Sequence, residues 1–499
     1  MKGASISTIT GARIGGPGRE LLPTDGGYDV FIDGGVIADI APAGAIQPRG
    51  EVLDASGAWL IPGLWDHHVH VVQWALAAQR TALDATTSAA EAAATIAAGT
   101  LLPNGTRVGT GFRDALWTDR PTLAMLDEAT GDIPTYLINA DVHSVWMNSA
   151  AHAREGLLPD DVGMLREEPA FEISRRLNAA DPDIADTLVF HMAEAAAARG
   201  VVGLADFDMA WNEEAWARRL NAGFSSLRVR FGIYPMHLQR ALAEGLRTGD
   251  VVRGASSDLV RVGPFKVITD GSLGTRTAAC THPYSGGAQS RGAMTVSPTD
   301  LLDLMTLATA GGIASAVHAI GDVATTHALD AFSVTGATGT IEHAQLVAHA
   351  ELARFARLGV GASVQPQHAV NDRDMTDVLW SEQTSMAYPL RSLADHGANL
   401  FFGSDAPVAG LDPWHTMASA VYRTDNDRPP WRGQEAVSAA VALAASTRGG
   451  LAAPATITPG AAADLVLCAH DPLSADATQL RQMPVLATLL AGRVTFSQL

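Results

Sequence analysis

His68 and His70 are two apart, and in a strand such residues point to one face, so both imidazoles can converge on a single ion at the strand's end. His67 then faces the other way. The spacing alone is as common in cores and on surfaces. Here it follows the run Ile61-Pro62-Gly63-Leu64-Trp65-Asp66, which sets it at a strand terminus. Three further residues suited to a metal close apolar strands: His318 after 314–317, His343 after 340–341, and Asp405 after Phe401-Phe402-Gly403-Ser404. Singly, each histidine reads equally as a hydrogen-bonded core residue, and Asp405 as a helix N-cap before Pro407. Together they describe a metal centre fed by several strand ends. Lys266 is a lone cation in the apolar strand 262–268, where lysine is seldom buried without a partner. An ammonium has no lone pair for a metal. Either the neutral amine captures CO₂ and becomes a carbamate that bridges two cations, or the ammonium pairs with Asp270, four residues on and on the same face.

The elements that must position these residues alternate between strand and helix. Candidate strands at 59–64, 201–207, 227–234, 265–269, 314–317, 340–341, 361–365 and 399–403 number eight. That suits an α/β (β/α)8 TIM barrel better than an open Rossmann sheet, and no Gly-rich phosphate loop follows an early strand. Both ends of the chain are β-rich. Residues 28–32 and 36–40 form a hairpin around Asp33-Gly34-Gly35, and 463–467 and 489–494 read as strands. The expected organisation is a small β-sandwich domain built from both termini (1–60 and 441–499) around a barrel at 61–440. An insertion after barrel strand 1, at about 75–195, contains a helix at 88–98 and strands at 107–112 and 135–138. Such an insertion overlies the active-site mouth. It offers His143 as a group to hold a substrate carbonyl or oxyanion, or else as a surface histidine. Trp74, Phe112, Trp117 and Trp146 form either an apolar wall for the substrate or the insertion's own core. Asp270, Asp322, Gln367 and His368 are further candidates to line the site, with Asp322 equally suited to fixing the loop after His318.

The bulk properties exclude several classes. With 499 residues and a net charge of −19, the chain has no run of Lys or Arg to track a phosphate backbone. Cys280 and Cys468 are too few for a disulfide framework or a cysteine zinc module. Neither a secretory leader pattern nor an apolar stretch long enough for a bilayer is legible. The expectation is a cytoplasmic enzyme acting on a small molecule, without nucleic-acid or membrane partners, and with a homodimer as the candidate assembly.

The motif set is specific. Pro62 to His70, Lys266-Val267-Ile268-Thr269-Asp270-Gly271-Ser272, His318-Ala319-Ile320-Gly321-Asp322, Ile341-Glu342-His343-Ala344-Gln345 and Gly403-Ser404-Asp405-Ala406-Pro407 resemble the amidohydrolase superfamily. Nearly the whole chain shares the likeness, and it is strongest to the amidohydrolase-3 branch that includes N-substituted formamide deformylases. The resemblance implies His68 and His70 on one divalent metal, expected to be zinc, and His318 and His343 on a second. It also implies Lys266 as a carboxylated bridge and Asp405 as ligand and general base. Whether one ion or two bind stays open, since a one-metal site leaves Lys266 unmodified. Two departures bear on specificity and packing. Val323 stands where relatives often carry Arg, and His67 where they carry a small residue; as His67 faces away, only a packing change is expected there. The implied reaction is attack of metal-activated water on an amide-type, non-peptide carbon–nitrogen bond. A lactone, carbamate or other ester-like bond is the alternative on the same centre, and a non-catalytic binding or regulatory protein on a retained barrel is the third reading.

Overall fold

The computed structural model describes residues 2–22, 26–178, 181–286, 289–449 and 453–499. Eight parallel strands form the central sheet in chain order: Leu64–Val69, Val201–Asp206, Arg228–Ile233, Val260–Ile268, Ser315–Ala319, Gly339–His343, Gly361–Val364 and Leu400–Phe402. Strands covered on both faces are built from near-continuous apolar residues, and Val260, Val262, Phe265 and Val267 in the fourth are all fully buried. A helical layer surrounds them. Ala193, Trp216, Leu238, Leu301, Phe332 and Trp414 from successive helices pack into one core with Val229, Val317 and Ile341. This is the (β/α)8 barrel that the alternation of elements predicts.

The seam between first and last strands is closed by a few specific bonds. The His70 N–H donates to Ala406 O at 2.9 Å and the Asp405 N–H to His68 O at 2.7 Å. Below them the buried Asp66 carboxylate accepts the N–H groups of Ser404 and His68. Gly403 is required here, because a Cβ would lie 2.7 Å from the His68 nitrogen.

One expected strand divides. Trp59–Pro62 belongs to the terminal sheet, pairing with Thr8–Ile14 and Leu465–Cys468, whereas the barrel starts at Leu64. The apolar run is continuous in sequence, so only the switch at Gly63, where any Cβ would collide with Val202, separates the two sheets. The terminal sheet has eight strands drawn from both ends of the chain, with its own core of Ile9, Val30, Leu60, Leu465 and Leu489.

The insertion carries a five-stranded sheet that includes Arg107–Phe112, Thr135–Asn139 and Ser144–Met147. Its helix Ala89–Ala97 starts where Ser88 caps the Glu91 N–H, and buries Ala89, Ala92, Ala93 and Ile96, one face at helical spacing. The barrel's helical layer resumes with Pro182–Ala197, whose Val189, Ala193 and Ala196 join the barrel core. No helix among the described residues is long and apolar enough to cross a membrane.

Candidate metal centre

Each chemical residue sits at or just past the C-terminal end of a barrel strand. His68 lies in the first strand and His70 caps the helix that follows. Lys266 is in the fourth strand, His318 in the fifth, and His343 ends the sixth. Asp405 follows the eighth. His343 and Asp405 both adopt left-handed backbone, at φ 74° and 59°, a conformation that non-glycine residues seldom hold without surrounding constraint.

Asp405 is the hub. Its Oδ1 lies 3.5 Å from His68 Nε2 and 3.4 Å from His70 Nε2, and its Oδ2 lies 3.9 Å from His343 Nδ1. Two triads have ligand atoms within 4.8 Å of one another: His68, His70 and Asp405; and His343, His368 and Asp405. The donor set fits a divalent cation. His70 Nδ1, His368 Nε2, Asp405 Oδ1 and Lys266 Nζ are buried without a hydrogen-bond partner, an arrangement that is costly unless another group satisfies it. Burial and the Lys266 cation hold His68 below the ordinary imidazole range. The same two causes hold His318 well below it, and burial with neighbouring His318 does so for His343. Neutral rings keep the lone pairs that a metal needs. Burial raises the Asp405 carboxyl, and positive charge at the positions of His68, His70 and His343, whether carried by a protonated ring or by a bound cation, pulls it well below the usual carboxylate range.

Lys266 Nζ makes no hydrogen bond and rests 5.0 Å from the centre of the Phe207 ring. Burial lowers its amine to about 8, against the opposing pull of Glu342 and Asp405. The pairing with Asp270 does not form. Asp270 instead accepts the backbone N–H groups of Ala279, Ile320 and Gly321, tying two loops together beneath the site. His318 faces Gly271 O and Asp270 and joins neither triad, although its ring lies 4.6 Å from that of His343. His368, expected as a lining group, stands at ligand distance instead, its ring stacked 6.4 Å from His343.

His143 reaches the cavity from the insertion, its ring 5.6 Å from His318. Glu167 holds its Nδ1 at 2.9 Å, and the Asp141 carboxylate accepts its backbone N–H. Burial works against the charged ring, but the Glu167 hydrogen bond and charge prevail and raise its pKa.

The remaining lining candidates are elsewhere. Phe112 and Trp146 are fully buried in the insertion's own core, with Trp117 packed against them and its indole N–H on Thr86 O. Trp74 packs against the barrel core. Asp322 accepts the Thr281 N–H and the Ser385 hydroxyl, fixing the loop after His318. Gln367 accepts from Thr416 and lines a neighbouring cleft. The apolar wall of the cavity comes instead from Phe171, Met209, Leu273 and Met375. No spacing rule marked these four.

Two supporting residues escaped the sequence reading for a physical reason. Glu342 Oε2 accepts from His68 Nδ1 at 2.7 Å, which leaves Nε2 for the metal side, and Gln365 holds His343 Nδ1 at 2.9 Å. Strand alternation would put Glu342 and His343 on opposite faces. The left-handed turn at His343 breaks that rule and brings both inward.

The cavity over the centre is tight, about 70 Å³, room for a few waters or one small group. Arg113, Asn139, Val142 and Val408 line both it and an adjoining cleft of about 640 Å³. Arg113 is held at this neck by Asp372, at 2.9 Å.

The sequence pattern of the Amidohydrolase family matches residues 51–496. N-substituted formamide deformylase of Arthrobacter pascens is 26% identical, covering 94% of this chain and 95% of its own. Protein LONG AFTER FAR-RED 3 of Arabidopsis thaliana is 28% identical over 88% of this chain and 83% of its own. A crystal structure of an uncharacterized metal-dependent hydrolase from Pyrococcus horikoshii superposes with a TM-score of 0.78 at 24% identity, covering 94% of this chain and 99% of that one. A match that spans the whole barrel and the remaining strands of the terminal sheet from residue 51 on agrees with the architecture and with the histidines at its strand ends: the chain belongs to the amidohydrolase family.

Proposed function

We propose that the protein is a metal-dependent hydrolase that cleaves a non-peptide, amide-type carbon–nitrogen bond, with Asp405 as the proton-transferring group. The observation that carries this reading is the Asp405 carboxylate, set between two histidine groups with one oxygen left unpartnered. His68, His70, His343 and His368 would hold divalent metal with Asp405, and Lys266, His318 and Glu342 complete the surroundings. Metal bound there would supply a polarised carbonyl and an acidified water.

The chain's own groups do the rest. Asp405, beside the water that such a metal would acidify, would accept its proton and pass it to the leaving nitrogen. His143, whose protonated form the Glu167 carboxylate favours, would donate a hydrogen bond to the carbonyl oxygen as negative charge builds there. The small cavity selects a compact acyl group. The amine portion then passes the Arg113 neck into the larger cleft. An N-formyl or short N-acyl amine meets both requirements. The test is a screen of N-formyl, N-acyl, cyclic amide and lactone compounds with the zinc-loaded protein. Turnover restricted to lactones would refute the bond class, and faster release of long acyl chains than of formyl or acetyl would refute the size argument.

A further inference from the structure

The cleft beyond the Arg113 neck, of about 640 Å³, has a wall unlike that of the metal cavity. Among the described residues that line it there is no Phe, Tyr or Trp, and its bulkiest apolar side chains are Ile138, Val142, Val370 and Val408. Phe112, Trp117 and Trp146 are packed into the insertion's own core and leave it free of large rings. Charge does not mark it either. Among the same residues four arginines balance four aspartates, and Arg428 closes on Asp374 through bonds of 2.7 and 2.6 Å.

Two glutamines distinguish this wall. Gln73 is 5% exposed and Gln367 6%, and both border the cleft. Glutamine is seldom so deep without hydrogen bonds, because an amide stripped of water and left unpaired is costly. Yet the Gln73 amide bonds to no group among the described residues. Gln367 uses only its carbonyl oxygen, which accepts from the Thr416 hydroxyl at 3.3 Å, so both hydrogens on its nitrogen are free. Neither amide is sealed in the core; each opens on the cleft. Both also stand beside the centre. Gln73 is on the helix Val71–Ala77 that His70 caps, and Gln367 adjoins His368 on the helix Pro366–Asn371.

Given the amide-type hydrolysis proposed above, we infer that the amine portion of the substrate carries a neutral group with both a hydrogen-bond donor and an acceptor, a carboxamide or a hydroxyl, and that Gln73 and Gln367 determine this specificity. A primary amide offers an oxygen and two N–H groups, so it matches such a group in either orientation. An aryl or alkyl substituent displaces water from both amides and returns no bond. A site built to hydrogen-bond rejects the analogue that lacks the group. A carboxylate only accepts, so it leaves the Gln73 oxygen unmatched, and the balanced wall supplies no charge in compensation.

Three N-formyl compounds of one shape separate these cases. N-formyl-β-alaninamide, N-formyl-β-alanine and N-formylisoamylamine end in a carboxamide, a carboxylate and an isopropyl group. With the zinc-loaded full chain, kcat/KM for the carboxamide should exceed that for the isopropyl compound by at least about tenfold, and should also exceed that for the carboxylate. Gln73→Leu and Gln367→Met should each lower the carboxamide-to-isopropyl ratio by about threefold or more; a ratio taken within one variant is not mimicked by a general loss of activity. The released amines give the same comparison without turnover: in calorimetric titration β-alaninamide should bind at least about tenfold tighter than isoamylamine. If no formyl compound is hydrolysed, the bond class proposed above fails, and the amine titration alone decides the character of the cleft. Equal kcat/KM for the three compounds, a preference for the carboxylate, isoamylamine binding as tightly as β-alaninamide, or no heat from either amine would each overturn the inference. If a variant misfolds by circular dichroism, the comparisons on the unaltered protein decide.

Discussion

Glu342→Gln isolates the support of the metal centre without touching a proposed ligand. The Glu342–His68 contact is 2.7 Å between side chains each only 1% exposed, so solvent screens it little. A hydrogen bond to a charged group in such a place contributes about 1.5–3 kcal/mol, and a neutral amide keeps about 1 kcal/mol of it. The net loss of about 0.5–2 kcal/mol corresponds to a metal dissociation constant about 2- to 30-fold weaker. Glu342→Ala removes the acceptor entirely and leaves His68 Nδ1–H unpaired, so its loss should approach the upper end, about 100-fold. The assay is zinc competition against a chromophoric chelator, with bound metal counted by mass spectrometry. If both variants hold zinc within about twofold of the unaltered chain, then Glu342 does not orient His68, and the reasoning fails.

The other expectations concern single groups. Lys266→Ala should lose metal and activity, with partial recovery on adding short carboxylic acids; full metal content without rescue would exclude a carbamate there. Since the Lys266 amine is lowered to about 8, more of it is neutral as pH rises through that value, so reconstitution of apoprotein with bicarbonate and zinc should speed up between about pH 7 and 9, and a flat profile would count against carboxylation. Asp405→Asn should keep most of its metal while turnover drops by at least about 100-fold, read by metal analysis beside steady-state kinetics. Asp270→Ala strands three buried N–H groups at a cost of about 1–3 kcal/mol each, so its melting temperature should fall clearly, whereas a change in KM alone would point to substrate contact instead.

Much of the architecture is legible because period and position carry it. Eight apolar segments separated by helical ones yield the barrel, and the spacing of His68 and His70 with strand-end His318, His343 and Asp405 brings the centre into view. What the sequence hides is hidden for definite reasons. The continuous run from Trp59 to Val69 conceals a change of sheet, because both sheets bury it. Phe112, Trp117 and Trp146 have the composition of a binding wall, yet an insertion with its own sheet needs a core of its own, and they fill it. Lys266 and Asp270 share strand parity, but Asp270 lies beyond the strand and turns to backbone donors. His368 reaches the centre from a short helix, where the two-residue period of a strand says nothing.

The seam of the barrel also has a consequence for how the protein is made. Asp66 and Ser404, which stitch it, are separated by 338 positions in the chain. His68 and His70 therefore leave the ribosome long before Asp405 exists to complete their triad. A nascent chain presents two histidines capable of weak capture, and only the last strand converts them into a closed site. Any truncation before that strand should leave a fragment that is both metal-poor and open along one edge, exposing the free edge of the Leu64–Val69 strand, still paired on its other side with Val201–Asp206, to chaperones and proteases.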